Sequence, residues 1–207
     1  EEKAKEEKKN RQLAENEMIE AENAIKSAKS SDINVVKADE LLAKAGLSIE
    51  GKEYRDALSQ ATQSKEMAIK CFEDGIKSII DSVSKLADLA HDVGADSEQG
   101  MSLLKDAKSA LSEKNFERSM ALSKQSWGLY EKITQEHLSE TYSQAQSMIV
   151  LARNIGEDVT ASEALLEQAK KSMENQDYFS ALDHLKNCME SAGSGLSSQV
   201  EALLDEA

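Results

Sequence analysis

Three stretches of this chain share one internal layout: "EGKEYRDAL" beginning at residue 50, "SEKNFERSM" at 112 and "ENQDYFSAL" at 174. The layout sets Tyr54, Phe116 and Tyr178 at equal intervals along the chain. The same interval aligns Leu41-Leu42 with Leu103-Leu104 and Leu165-Leu166, Ala45 with Ala107 and Ala169, and upstream Ala28 with Ala90 and Ala152. A long, fixed period of this kind means that one supersecondary unit is built several times over, each copy burying apolar surface against its neighbours. The units are expected to be helical. Proline is absent from all 207 residues, where average usage would supply about ten. Inside a helix a proline removes a donor and clashes with the preceding turn, so its absence permits long helices, and Ala, Glu, Lys, Leu and Gln favour them.

Punctuation follows the same register. Asp32, Gly94 and Gly156 align, and the two glycines suit the left-handed position that ends a helix. Asn34, Asp96 and Asp158 follow, with side chains able to accept from free N–H groups at a helix start. A first helix is therefore expected to end near 31, 93 and 155, and a short second one to begin near 35, 97 and 159. Gly51 and Asn175 suit the left-handed end of that second helix, and Asn115 and Asp177 cap the third, which opens at the aromatic. That aromatic is expected to pack against the turn.

The third helix has no visible stop. Tyr54, Leu58, Ala61, Ala68, Phe72, Ile76, Ile79, Val83, Leu86, Ala90 and Val93 form a stripe at spacings mostly of three and four, with Lys65 as its lapse. Gly75 costs about 1 kcal/mol in a helix interior without compelling a break. A second stripe runs from Phe116 through Met120, Tyr130, Leu138, Ala145, Met148 and Ala152 to Ile155. A third begins at Tyr178 and reaches Leu203, with Gly193 and Gly195 placed to kink or break it. The expected fold is all-α: tandem three-helix-bundle repeats joined by long continuous helices into an elongated rod. Residues 1–20 read as a charged helical extension or linker, 21–75 as repeat 1, 76–137 as repeat 2, 138–199 as repeat 3, and 200–207 as the start of a fourth repeat helix. Each repeat would advance the axis by about 36 Å, for a rod on the order of 110 Å.

Composition narrows the function. A formal charge of −14 opposes binding to nucleic-acid phosphates, which depends on Lys and Arg, and opposes a membrane-shaping role on anionic lipid. No apolar run approaches the length of a transmembrane helix. Residue 1 is Glu, and the chain reads as an excised segment of a larger protein. Cys71 and Cys188 occupy non-equivalent repeat positions and make no disulfide framework, which favours a reducing intracellular compartment.

Reaction chemistry is sparse. His91, His137 and His184 fall at non-equivalent positions. Asp88-x-x-His91 has the helical carboxylate-histidine spacing of di-iron bundles, which require a second copy and facing carboxylates; the chain has neither. His184 and Cys188 share a helix face at i,i+4, but two ligands do not make a metal site. Cys71 beside Phe72 reads as a helix-core thiol, and the methionines as core filler. "GSGLSS" at 193–198 lacks the third glycine and the preceding strand of a dinucleotide fingerprint. Trp127 aligns with Lys65 and Met189 and reads as core or junction packing, with a partner-binding hot spot as its alternative. No catalytic, cofactor-binding or metal-binding residue is assigned, no cofactor is expected, and the chain reads as a non-enzyme.

With its joined three-helix units, the chain resembles spectrin-type repeats, although its period is shorter than a spectrin repeat and the characteristic tryptophan of that family does not recur here. "Y-x-x-A-L" at Tyr54, Ala57, Leu58 and at Tyr178, Ala181, Leu182 is similar to a tetratricopeptide helix opening. "ASEALLEQAKKSMENQDYFSAL" resembles helical-repeat segments of uncharacterised archaeal proteins. The fixed period and the missing stop signals point to a structural spacer or protein-interaction scaffold. Its partners would be another protein or flanking domains of the same chain, with self-association through surplus apolar helix surface. The alternative is a solenoid-like adaptor that binds a partner's peptide or helix in a groove.

Overall fold

The computed structural model describes the backbone of residues 2–205 and side chains as far as residue 194. Among these residues the chain is all-helical and without strands, in the order α1 (Glu2–Lys29), α2 (Val36–Glu50), α3 (Tyr54–Asp92), α4 (Glu98–Ser112), α5 (Phe116–Asn154), α6 (Thr160–Glu174) and α7 (Tyr178–Asp205). The boundaries keep the sequence interval. Helices α2, α4 and α6 are each 15 residues long and begin at equal spacing along the chain. Helices α3 and α5 are each 39 residues long, without a break, and open on the turn aromatic as α7 does. Gly193 and Gly195 do not interrupt α7, which continues to Asp205. Single glycines weaken a helix interior by about 1 kcal/mol each, too little to stop one that is anchored upstream. Side chains of residues 200–207, expected to start a further repeat helix, lie outside the described residues.

All six reversals use one backbone device. At the end of α1, the N–H of Ile33 donates to the Ala28 carbonyl and that of Asp32 to Lys29, the paired closure of a Schellman turn. Ala95 to Ala90 with Gly94 to His91, and Glu157 to Ala152 with Gly156 to Arg153, repeat it after α3 and α5. The shorter helices end likewise, through Glu53 to Ser48, Asn115 to Ala110 and Asp177 to Ser172. Each closure needs one residue at positive φ. Gly94 (72°) and Gly156 (90°) meet it as their sequence suggests, and Asp32 stands at 65°. After the short helices the expectation is corrected by one position. Gly51 is right-handed at φ −73, Asn175 at −86, and the left-handed residues are Lys52 (62°), Lys114 (59°) and Gln176 (58°).

The helix starts need a similar correction. Asn115 Oδ1 accepts from the Arg118 N–H at 3.3 Å and Asp177 Oδ1 from Ser180 at 3.2 Å, as expected of N-caps. Asn34 and Asp158 lie one residue ahead of the N-cap and accept from Val36 (3.1 Å) and Thr160 (3.0 Å) instead. Ahead of α4 the cap is Ser97, whose Oγ accepts from Gly100 at 3.0 Å. Asp96 is turned away to His91.

The chain divides into two compact units. The first comprises Glu1–Val83 with Ser102–Ser126. Its core takes Ala14, Ala21, Ile25 and Ala28 from α1, Ala38 and Ala45 from α2, Ala57, Ala61, Ala68, Phe72 and Ile76 from α3, and Leu104, Ala107 and Met120 from α4 and α5. Alanine at so many fully buried positions lets helix backbones approach closely, so a core with few aromatics can still be dense. Buried hydroxyls are satisfied by helix carbonyls: Ser64 donates to Ala38 O at 2.7 Å and Ser119 to Ala107 O at 2.8 Å. Gly75 in α3 makes room for Ile33, whose Cδ1 occupies the space that a β-carbon would need. The charged start of α1 is helical and exposed as far as Lys9, and Arg55 reaches back from α3 to Glu6 at 3.1 Å.

The second unit comprises Ser84–Met101 with Trp127–Ala207. Its core includes Leu86, Leu89 and Ala90 of α3, Tyr130, Leu138, Ala145, Ile149 and Ala152 of α5, Ala169 of α6, and Tyr178, Ala181, Leu182, Leu185 and Cys188 of α7. Tyr130 fits because its neighbour is Gly100, where a β-carbon would lie 2.8 Å from the ring. The equivalent pairs, Ala38 with Ala68 and Ser162 with Ala192, are all buried and all small. Cys188, equivalent to Ser64, donates its thiol to Ser162 O at 3.3 Å. The Thr134 hydroxyl is buried without a hydrogen-bond partner.

Two outcomes are expected. Left-handed backbone costs a non-glycine residue roughly 1–2 kcal/mol, partly offset by glycine's larger loss of freedom, about 0.5–1 kcal/mol. Lys52→Gly, Lys114→Gly and Gln176→Gly should each stabilise by about 0.5 kcal/mol or more, whereas Gly156→Ala should destabilise by about 0.5–1 kcal/mol. Denaturant unfolding of the four variants checks both signs. Thr134→Val removes an unsatisfied buried hydroxyl at nearly constant shape and should raise stability by about 1 kcal/mol; a loss of stability in thermal unfolding would contradict the assignment.

Candidate functional site

An open groove of the first unit, walled in part by Ile69 and Phe72, lies beside the Phe116 turn. There Ala24 and Ser27 of α1, Ile69 and Phe72 of α3, and residues 113–117 at the α4–α5 turn enclose a groove of about 480 Å³. Its floor is built by helical spacing: Ile69 and Phe72 stand three apart on α3 and share a face. The Phe116 ring packs on Phe72 with centroids 5.8 Å apart and planes tilted by 46°, within the range of favourable aromatic pairing. Phe72 is 3% exposed but Ile69 is 38% exposed. Glu113, Lys114 and Glu117 form the rim, and Ser27 Oγ donates to Glu117 Oε1 at 2.9 Å.

The same address is finished differently elsewhere. In the second unit the positions equivalent to Ala24 and Ser27 are Leu86 and Leu89, both buried, and Tyr178 replaces Phe116 and is itself buried. The Tyr178 hydroxyl donates to Glu131 Oε1 at 2.9 Å and accepts from Gln135 Nε2 at 2.8 Å. Burial is the main cause that pushes its pKa up. At Tyr54 the equivalents of Ile69 and Phe72 are Glu7 and Asn10, and that surface is a concavity of about 440 Å³ lined mainly by charged residues. The aromatic therefore packs on the long helix two elements earlier, not merely on its own turn.

Charged residues sort into ion pairs. Lys65, the lapse in the apolar stripe, pairs with Glu17 and with Glu20 (2.9 Å) of α1. Hydrogen bonds to these carboxylates, Glu17 first, raise its pKa. Lys29 in the last turn of α1 pairs with Asp39 in the first turn of α2 at 2.7 Å, and the equivalent Arg153 pairs with Glu163. At the equivalent place between them stand His91 and Met101, which cannot pair. His91 Nδ1 instead lies 2.9 Å from Asp96 Oδ1, which is why Asp96 does not cap α4. The exposed pairs at Lys29 and Arg153 contribute little to stability, but each sets a cation in the last turn of its helix, where the dipole favours it.

The remaining sequence candidates do not converge. His91 is committed to Asp96. His137 and His184 are half-buried, and Cys188 is a buried thiol whose pKa is raised by burial. Cys71 is half-buried, a partial correction to its reading as a core thiol, and Trp127 is half-buried. Among the described residues no three His, Cys, Asp or Glu gather in a geometry that could hold a metal ion, and no helix is long and apolar enough to cross a membrane. The Phe116 groove was not singled out by sequence reasoning. Its signal was available in the repeat register, as the drop from Leu86 and Leu89 to Ala24 and Ser27.

The His91 pair has a testable pH signature. Its hydrogen bond to Asp96, then the charges of Asp96, Asp92 and Asp88, raise the imidazole pKa above the usual 6.5. A raised folded-state pKa means that the contribution is complete below about pH 6.5 and is lost as pH rises through the folded value. The Tm of the parent should exceed that of His91→Gln at about pH 5.5, and the gap should close by about pH 8.5; a gap that widens with pH would refute the pairing.

Compared with known proteins, the chain matches no protein-family model, no curated protein and no solved structure.

Proposed function

We propose that this chain is a non-catalytic structural spacer and protein-interaction scaffold: three-helix bundles of spectrin-like plan, arranged in tandem and joined by shared helices into an elongated rod. The observation that carries this reading is the pair of uninterrupted 39-residue helices at equivalent repeat positions, α3 and α5. Each spans about 58 Å, and a helix that continues from one repeat into the next leaves no flexible linker to act as a hinge. Function in such an array is geometric. It sets the separation of flanking domains or partners, and folding of each unit is coupled to that of its neighbour. The adaptor reading is favoured by the open apolar groove at Ile69, Phe72 and Phe116.

Small-angle scattering at a mass fixed by light scattering tests the spacer. A compact chain of 207 residues would have a radius of gyration near about 17 Å, whereas a rod of the expected length exceeds about 30 Å. The expected result is the larger value at monomer mass. The smaller value would sink the rod and leave the adaptor.

A further inference from the structure

We propose that the groove beside the Phe116 turn is a docking site for a cationic amphipathic helix of a partner protein, one bulky apolar side chain of which seats against Ile69, Phe72 and Phe116. This deepens the scaffold reading and rests on it for its biological use, while the groove itself is a property of the first unit alone. The first support is an exchange of side chains between equivalent positions: the first unit carries Phe72 where the second has Thr134, but Ala24 and Ser27 where the second has Leu86 and Leu89. Where the second unit fills the equivalent place with Leu86 and Leu89, both at most 6% exposed, the first has Ala24 and Ser27, and the space of about 480 Å³ stays open. Ile69, on one wall of that space, is 38% exposed.

The occupant follows from what the walls can recognise. Among the described residues there is no strand, so an extended peptide has no edge to pair with. Recognition must pass through side chains, as when a helix lays anchors spaced three and four apart into an apolar groove. Charge selects its sign. Two of the three charged rim residues, Glu113 and Glu117, are acidic, and a net charge of −14 gives the whole chain a field that steers cations inward and repels acidic helices.

The test uses the full chain and two fluorescent synthetic helices of one Leu/Ala pattern, with Lys at every polar position in one and Glu in the other. Binding is read by anisotropy at low and at physiological salt. The Lys helix is expected to bind, and the Glu helix to bind at least about tenfold more weakly. The double variant Ala24→Leu and Ser27→Leu, which copies the filled site, should reduce Lys-helix affinity by about tenfold or more. Ile69→Gln removes an apolar wall at an exposed position without changing the charge, and should do the same with helix content unchanged by circular dichroism. Equal binding by parent and Ile69→Gln would mean adhesion elsewhere and overturn the site. Equal affinity for both helices would overturn the cationic class, and no binding of either would overturn the proposal. Loss of binding with a radius of gyration above about 30 Å would remove the groove and leave the spacer standing, so the two failures are distinguishable.

Discussion

A helix that stops leaves its last carbonyls without partners, and a chain built of close helices must supply them within two or three residues. Here the supply comes from two backbone N–H groups per turn, made possible by one residue in the left-handed region. Asp32, Gly94 and Gly156 do this after one class of helix and Lys52, Lys114 and Gln176 after the other. Because the closure is a backbone pattern, it sets how far the chain travels before the next helix starts, and it does so alike in every copy. The recurrence of helix boundaries at equal intervals depends on it. A turn one residue longer would rotate the next helix by about 100° and turn its apolar stripe away from the core.

Within that frame, the cores are built from small residues and adjusted by local exchange of volume. Tyr130 is admitted because Gly100 faces it; Cys188 stands where Ser64 stands and makes the same kind of bond to a carbonyl. Such substitutions keep the backbone register while the side chains differ, since close-packed interiors tolerate swaps that conserve volume. Where volume is not conserved, as at Ala24 and Ser27, the result is an opening at the surface. The Phe116 groove and the sealed Tyr178 site are two finishes of one design.

Helix class, helix number and the aromatic starts at Tyr54, Phe116 and Tyr178 were legible because the period multiplies each weak local signal by its copies. The left-handed residues were legible only where they are glycine. Gly51 drew the expectation one position early, because a glycine beside a turn is a composition signal whereas the left-handed position is set by hydrogen-bond closure. Asp96 gave a sound cap signal that His91 overrode, an effect of a missing acid at Met101 that becomes apparent once the ion pairs of α1–α2 and α5–α6 are known. Lys65 looked like a flaw in an apolar stripe and is matched by two glutamates from α1, a contact between helices far apart in sequence that no local pattern encodes.

By itself, the sequence determined an all-helical chain with helix starts at a fixed interval, since periodicity, absence of proline and helix propensity act locally and need no partner to be read. It also set a formal charge of −14, which acts at long range whatever the fold. Only the tertiary structure decided which equivalent positions are filled and which stay open, whether Asp96 caps or pairs, and how Gly75 and Gly100 make room for Ile33 and Tyr130. Those outcomes depend on the volumes and charges of residues brought together from different helices, and such a balance exists only after the helices have met.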